Sequence, residues 1–268
     1  MIDVLRQQYT VNMSAEEKTN RVREFLQIIA LKIMSDKGYF KNIAFVGGTA
    51  LRIIHNLRRF SDDLDFSLVN KKGFDFNKLV SDLEKEIKLF GLEAELKPKV
   101  EKVVQSVFVK FPGVLNEAGV ASFKEQKLAI KVEVDTNPPA GAITQASLIN
   151  KTYLFSIVSF DLSSLFATKL HACLFRKYSK GRDFYDLVWY LGKKIEPNYN
   201  LLNNAIKQTE GKDMRLGRDN TKQFLVERLK HVDFNAAKKD VERFLEDKRE
   251  LSLLDYELLK GLIESVMP

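Results

Sequence analysis

Cysteine is nearly absent from this 268-residue chain. Cys173 stands alone, so no disulfide closes within the chain, and its apolar surroundings mark it as a core thiol rather than a reactive one. Proline is scarce at six residues and glycine reaches only thirteen, which excludes collagenous and low-complexity architectures. No apolar run approaches the roughly 20 residues that cross a bilayer. The opening Met1-Ile2-Asp3-Val4 lacks the basic-then-apolar pattern of a signal segment, so a cytoplasmic chain with no membrane partner is expected. The three histidines, His55, His171 and His231, are too dispersed to suggest an imidazole metal site. There is no Gly-x-Ser-x-Gly elbow, no Walker-type lysine loop and no dinucleotide fingerprint, which sets aside the enzyme classes built on them.

What is present is a globular composition: 45% apolar residues and a formal net charge of +7. The positive balance favours a polyanionic partner through steering and counterion release. Periodicity divides the chain near residue 160. Before it, Ser14-Ala15-Glu16-Glu17 reads as a capping box, with Glu17 reaching back, for a helix that runs to Lys37-Gly38. A buried strand follows over 42–46, a helix over 49–57, a strand over 65–69 and a helix over 74–90. Strand-like runs then occupy 92–96, 103–111, 128–135 and 153–158. After Asp161, itself a helix cap, only helical periods remain. The expectation is an α+β chain: a mixed sheet flanked by helices over 1–160, then a helical domain over 161–268.

Chemistry concentrates in two early motifs. Gly47-Gly48-Thr49 joins the first strand to a helix. Glycines let a phosphate approach the backbone, the helix start supplies N–H groups and a positive dipole end, and Thr49 adds a hydroxyl donor. Next, Asp63 and Asp65 project to one face of a strand, where a bound Mg²⁺ or Mn²⁺ would relieve their repulsion. A third ligand is expected from Lys131-Val132-Glu133-Val134-Asp135, whose alternation puts Glu133 and Asp135 on one face; either qualifies. With it, a two-metal arrangement for phosphoryl displacement becomes possible. Further on, Lys169 and Arg176 fall on one helical face, two turns apart, with Arg182, Asp183 and Asp186 following. Lys169 is expected to face the same cleft as the Asp pair and to bind a triphosphate or pair with Asp183.

Taken together, the stretch from Phe45-Val46-Gly47-Gly48-Thr49-Ala50-Leu51 through Arg59-Phe60-Ser61-Asp62-Asp63-Leu64-Asp65-Phe66 and Lys131–Asp135 to Lys169 and Arg182-Asp183-Phe184-Tyr185-Asp186-Leu187 resembles the AbiEii/AbiGii-type nucleotidyltransferase toxins. These belong to the superfamily that includes DNA polymerase beta. The resemblance covers residues 41 to about 191, and Thr49 stands where many members have Ser. It implies a nucleotidyltransferase-like fold with Asp63 and Asp65 as Mg²⁺ ligands and Lys169 and Asp183 in activity. The candidate nucleotide-binding set is Gly47, Gly48, Thr49, Arg59, Lys169 and Arg182; the candidate metal set is Asp63, Asp65, Glu133 and Asp135. The family further implies a nucleoside triphosphate substrate, a toxin–antitoxin or phage-defence setting with a cognate antitoxin protein, and RNA, above all tRNA, as acceptor. Basic residues at Arg215, Arg218, Lys222, Arg228, Lys230, Lys238 and Lys239 suit such an acceptor. Transfer to a protein or small molecule is the alternative within the class, and a non-catalytic nucleotide-dependent binding module the alternative outside it.

Overall fold

The computed structural model describes residues 2, 6, 9, 10, 12–101, 103–178 and 180–267; Met1, Asp3 and Val4 of the opening segment lie outside these. Two compact units emerge. The first comprises Met1–Asn56, Phe60–Pro138 and Gln145–Ser159, and the second Leu57–Arg59, Pro139–Thr144 and Phe160–Pro268. Among the described residues no helix is long and apolar enough to cross a membrane.

A seven-stranded mixed sheet organises the chain up to Phe160. Its strands are β1 (Ile43–Val46), β2 (Leu64–Leu68), β3 (Glu95–Val100), β4 (Val104–Phe111), β5 (Leu128–Asp135), β6 (Thr144–Asn150) and β7 (Leu154–Phe160). They lie in the order β3-β4-β5-β2-β1-β7-β6. β1 pairs antiparallel with β2, and β2 pairs parallel with β5. The expected strands are found, except that the run expected over 92–96 gives way to β3 at Glu95–Val100; β6 is an addition, a largely exposed strand with Ile149 its one buried side chain and little apolar alternation to announce it. The helices of this unit are α1 (Ala15–Asp36), α2 (Gly47–His55), α3 (Phe76–Leu89) and the short α4 (Val114–Glu117).

Ser14 caps α1 by accepting from the Glu17 backbone N–H at 3.1 Å. The reciprocal half of the expected capping box is missing: the Glu17 carboxylate turns to Arg21 instead, at 3.0 Å. A charged partner one turn along offers a stronger bond than a backbone N–H. α1 ends where Gly38 adopts the left-handed region at φ 75°. The core of the unit is aromatic and branched. Phe45 and Phe66 sit opposite each other across β1 and β2 with ring centroids 5.3 Å apart, and both are buried. Full burial of such side chains stabilises by about 1.5–3 kcal/mol each. On β5, Ile130, Val132 and Val134 are buried while Lys131, Glu133 and Asp135 stay partly exposed. That alternation puts the apolar side chains on the covered face of the sheet and the charged ones on the other.

The second unit is helical: α5 (Leu162–Phe175), α6 (Gly181–Gly192), α7 (Tyr199–Glu210), α8 (Arg218–Leu229), α9 (Phe234–Glu242) and α10 (Tyr256–Val266). Asp161 caps α5 through the Ser164 N–H at 2.8 Å, as its position predicts. α6 is the central element, packing on α5, α9 and α10. Phe166 of α5 stacks on Tyr190 of α6 at 4.3 Å. Cys173 is buried, and burial pushes its thiol well above the ordinary range, so it is an inert core group.

Candidate active site

β1 gives way to α2 without an intervening loop, and the helix N-cap, Val46, supplies no side-chain acceptor. The first N–H groups of α2 are therefore among the orphans every helix start leaves, and with the helix dipole they favour an anion. Gly47 has φ 78°, in the left-handed region. A Cβ there would also lie 2.5 Å from Oδ2 of Asp65. Both conditions favour glycine, and the antiparallel pairing of Val46 with Asp65 brings the carboxylate against this helix start.

Thr49 is buried, and its hydroxyl donates to the Asp63 carbonyl oxygen. That bond ties Thr49, expected to offer its hydroxyl to a phosphate, to the chain segment that carries the first aspartate. That segment has a second anchor. Gln27 of α1, also buried, donates from Nε2 to the carbonyls of Ser61 at 3.0 Å and Asp62 at 2.9 Å. Arg23 pairs with the Asp62 carboxylate at 3.2 Å.

The register separates the two expected third carboxylates. Asp65 lies opposite Glu133 in the parallel β2–β5 pairing, whereas Asp135 lies opposite Ser67, one pleat away. Glu133 also pairs with Lys131 at 2.7 Å. Asp135 accepts from the Asn137 N–H at 2.9 Å. Burial pushes its carboxyl up, only partly countered by that bond. Among the described residues no three His, Cys, Asp or Glu side chains are gathered into a ready-made metal cage. Asp65, Glu133 and Asp135 thus share a strand pair, while Asp63, expected on the same strand as Asp65, lies one residue before β2 begins at Leu64; the four do not form a closed ligand set.

In the helical unit the charges behave differently from the expectation of an open cationic stripe. Arg59 is buried and grips Asp186 with two bonds of 2.6 Å, Nε to Oδ1 and one terminal nitrogen to Oδ2. Arg59, a member of the candidate nucleotide-binding set, is thus enclosed and engaged by Asp186. Lys169 reaches Asp183 at 2.7 Å and Asp186 at 2.9 Å, and Arg176 also bonds Asp183. Burial pulls the Lys169 ammonium down, but Asp183 and Asp186 outweigh it and hold it above its ordinary value. Burial pushes the Asp183 carboxyl up, yet Lys169 and Arg176 prevail and hold it below the carboxylate range. Arg182 packs over the Phe244 ring at 4.4 Å and approaches Asp240 at 3.9 Å. The expected Lys169–Asp183 pair is present, inside a five-member network with Arg59, Asp186 and Arg176. The local sequence does not report the ties of Asp186; its one signal is an Asp on the apolar side of α6.

A Gly-Gly helix start without a side-chain cap lies beside the strand that carries Asp65 in a mixed sheet, and the family model that this chain matches is one of nucleotidyltransferases. The chain belongs to the AbiEii family, the nucleotidyl transferase toxins of type IV toxin–antitoxin systems, whose family model matches residues 29–256. Among solved structures it is similar to JHP933 from Helicobacter pylori, with 19% identity and a TM-score of 0.53 over 91% of this chain and 90% of that one. A second H. pylori structure, provisionally described as a nucleotidyltransferase, gives 18% identity and a TM-score of 0.53 over 91% and 92%. At these identities the likeness is one of fold. No curated protein matches the chain.

Proposed function

We propose that the chain transfers a nucleotidyl group from a nucleoside triphosphate to a hydroxyl of an RNA acceptor, with tRNA the first to test, in the presence of Mg²⁺ or Mn²⁺. The observation that carries this reading is the Asp65 carboxylate lying within 2.5 Å of where a Gly47 Cβ would be, against an uncapped helix start. An anion-favouring turn and a carboxylate in contact suit a phosphate and a divalent cation held together. The donor set fits a hard cation: carboxylates, with no thiolate or imidazole beside them. Asp63, Asp65 and, by register, Glu133 would hold it, with Asp135 as the neighbouring candidate. Mg²⁺ is commonly held by one or two carboxylates plus substrate phosphates and waters, so an incomplete protein cage suits it. When bound, the cation offsets charge on the phosphate oxygens and the leaving pyrophosphate.

The residues of the chain then have defined tasks. The Gly47 and Gly48 N–H groups hold phosphate oxygens, and Thr49 fixes Asp63. The acceptor hydroxyl releases its proton to solvent as its oxygen bonds in line to the α-phosphorus, and pyrophosphate departs from the opposite side. Lys169 and Asp183 enter through the motif resemblance, which implicates both in activity, and Arg182 stays a candidate for nucleotide contact. The RNA acceptor is supported by the net charge of +7. That support is narrower than a count of basic residues suggests, because Arg215, Arg218 and Lys230 pair with Asp213, Glu196 and Glu227. Arg228 donates to the carbonyls of Cys173 and Arg176. Lys222, Lys238 and Lys239 remain as the basic residues to test. A cytoplasmic site of action and a cognate antitoxin belong to the same reading.

Incubation with each α-labelled triphosphate, Mg²⁺ and total RNA tests it. Label in an RNA band is expected; label confined to protein or small molecules would move the acceptor to another class.

A further inference from the structure

We infer that Gln27 is a positioning residue for the catalytic aspartates, acting with Thr49 as a clamp on three consecutive carbonyls. This rests on the proposed assignment of Asp63 and Asp65 as the residues that hold the divalent cation.

Three observations lead to it. Phe25-Leu26-Gln27-Ile28-Ile29-Ala30-Leu31 is apolar apart from Gln27, and Gln27 is as deeply buried as its neighbours. A buried amide is costly unless its bonds are made, so its presence in a helix's core face calls for a specific partner. The partners are the Ser61 and Asp62 carbonyls at 3.0 and 2.9 Å, both taken by the same Nε2. A primary amide nitrogen has two hydrogens, and two carbonyl acceptors use both. The next carbonyl, that of Asp63, is taken by Thr49. Ser61, Asp62 and Asp63 are thereby fixed from two helices, immediately before β2, the strand that carries Asp65.

These residues precede β2, which begins at Leu64, so strand pairing does not hold their carbonyls. The segment meets a site whose demands are sub-ångström, and the two side chains supply what the sheet does not. Gln27 lies outside the residues matched by the family, which begin at 29. The clamp is a feature read from this chain's geometry. A Gln27→Met change keeps length and apolar packing but removes both donors. Gln27→Glu keeps the shape and sets a carboxylate against two carbonyl oxygens.

The experiment compares wild type, Gln27→Met, Gln27→Glu and Asp65→Asn in the full chain, with Thr49→Val and Thr49→Ser as a second pair. Four quantities are read: thermal unfolding, amide hydrogen exchange at 62–64, Mn²⁺ affinity without nucleotide, and the rate of nucleotide transfer. Loss of a group that orients metal ligands typically costs about 10–100-fold in metal affinity or activity. The clamp predicts that Gln27→Met stays folded, exchanges faster at 62–64 alone, and loses Mn²⁺ affinity and transfer rate to that extent. Gln27→Glu is expected to lose more, and Thr49→Ser to retain what Thr49→Val loses. Wild-type exchange, Mn²⁺ affinity and rate in Gln27→Met, with Asp65→Asn inactive, would overturn the clamp and leave the site standing. If Gln27→Met unfolds, the Thr49 pair decides alone: equal rates in Thr49→Val and Thr49→Ser overturn it. An active Asp65→Asn would overturn the site itself.

Discussion

Gly47 meets two demands at once, a left-handed backbone and a carboxylate oxygen that would lie 2.5 Å from any Cβ. A Gly47→Ala change therefore costs about 1–2 kcal/mol for the left-handed conformation and must also displace Asp65. The expected outcome is a folded protein with a lowered melting temperature and no measurable nucleotide transfer; a variant that transfers normally would detach Gly47 from the site. Arg59 illustrates the opposite kind of residue. It is 2% exposed and its partner Asp186 is fully buried, so Arg59→Met leaves a carboxylate with a lost partner in the interior. Breaking a buried pair from one side costs about 3–5 kcal/mol, to be measured by denaturant unfolding. A change below about 1 kcal/mol would mean the network does not hold the helices. These residues also show what the sequence makes legible. Gly47, Gly48, Asp63 and Asp65 are recognisable because their chemistry is local to one strand, turn and helix. Arg59 looked like part of the same motif, yet its partner lies 127 positions away, and no periodicity reports a pairing at that distance.

Elements turn these residues into an arrangement. Leu128–Asp135 reads as a strand from its alternation alone, but alternation cannot say which neighbour it has. Only the parallel register with Leu64–Leu68 sets Glu133, and not Asp135, beside Asp65. β6 is not legible in the sequence because, although its burial alternates, the half-covered face of Thr144–Asn150 is made of Gln145 and Ser147, with Ile149 its one buried side chain, so no apolar period announces it. In the helical unit, α6 begins at Gly181, where a Cβ would fall 1.8 Å from the Ala237 carbonyl oxygen of α9. Its backbone angle is ordinary, so the requirement is close approach between helices, not a special turn. Gly181→Ala must push α9 away from α6, and overpacking of this kind costs about 1–3 kcal/mol, occasionally more. Thermal unfolding should show it; an unchanged midpoint would mean α9 is not held there. The network joining α5 to α6 gives a pH signature. The folded Asp183 carboxyl is held below its unfolded value near 3.9, so its contribution is complete above about pH 4 and fades as pH falls through the depressed folded value. Lys169, held above its ordinary value, contributes below about pH 10 and loses that contribution as pH rises further. Stability measured from pH 7 downward should fall below pH 4, and Asp183→Asn should flatten that limb while lowering stability at pH 7. Parallel acid limbs in the two proteins would rule out Asp183 as its source.

For the molecule as a whole, the net charge of +7 supports an RNA acceptor only if its lysines meet phosphates. Each phosphate neutralised lowers log affinity by about 0.7–0.9 per log unit of salt, so RNA binding should weaken steeply between low and moderate salt and less steeply in Lys222→Gln/Lys238→Gln/Lys239→Gln. Binding that is flat with salt would leave those lysines as ordinary solvated surface. The division of the chain into an α/β part and helices was legible because strand patterns cease at Phe160. The return of Leu57–Arg59 and Pro139–Thr144 to the helical unit was not, since short segments carry no period. The most direct test of the central claim is nucleotide transfer from labelled triphosphates in Mg²⁺ with total RNA, by wild type and by Asp63→Ala and Asp65→Ala. With several kcal/mol of charge stabilisation at stake, each variant should lose at least about 100-fold in rate while keeping its fold. Transfer by either variant at the wild-type rate would contradict the account.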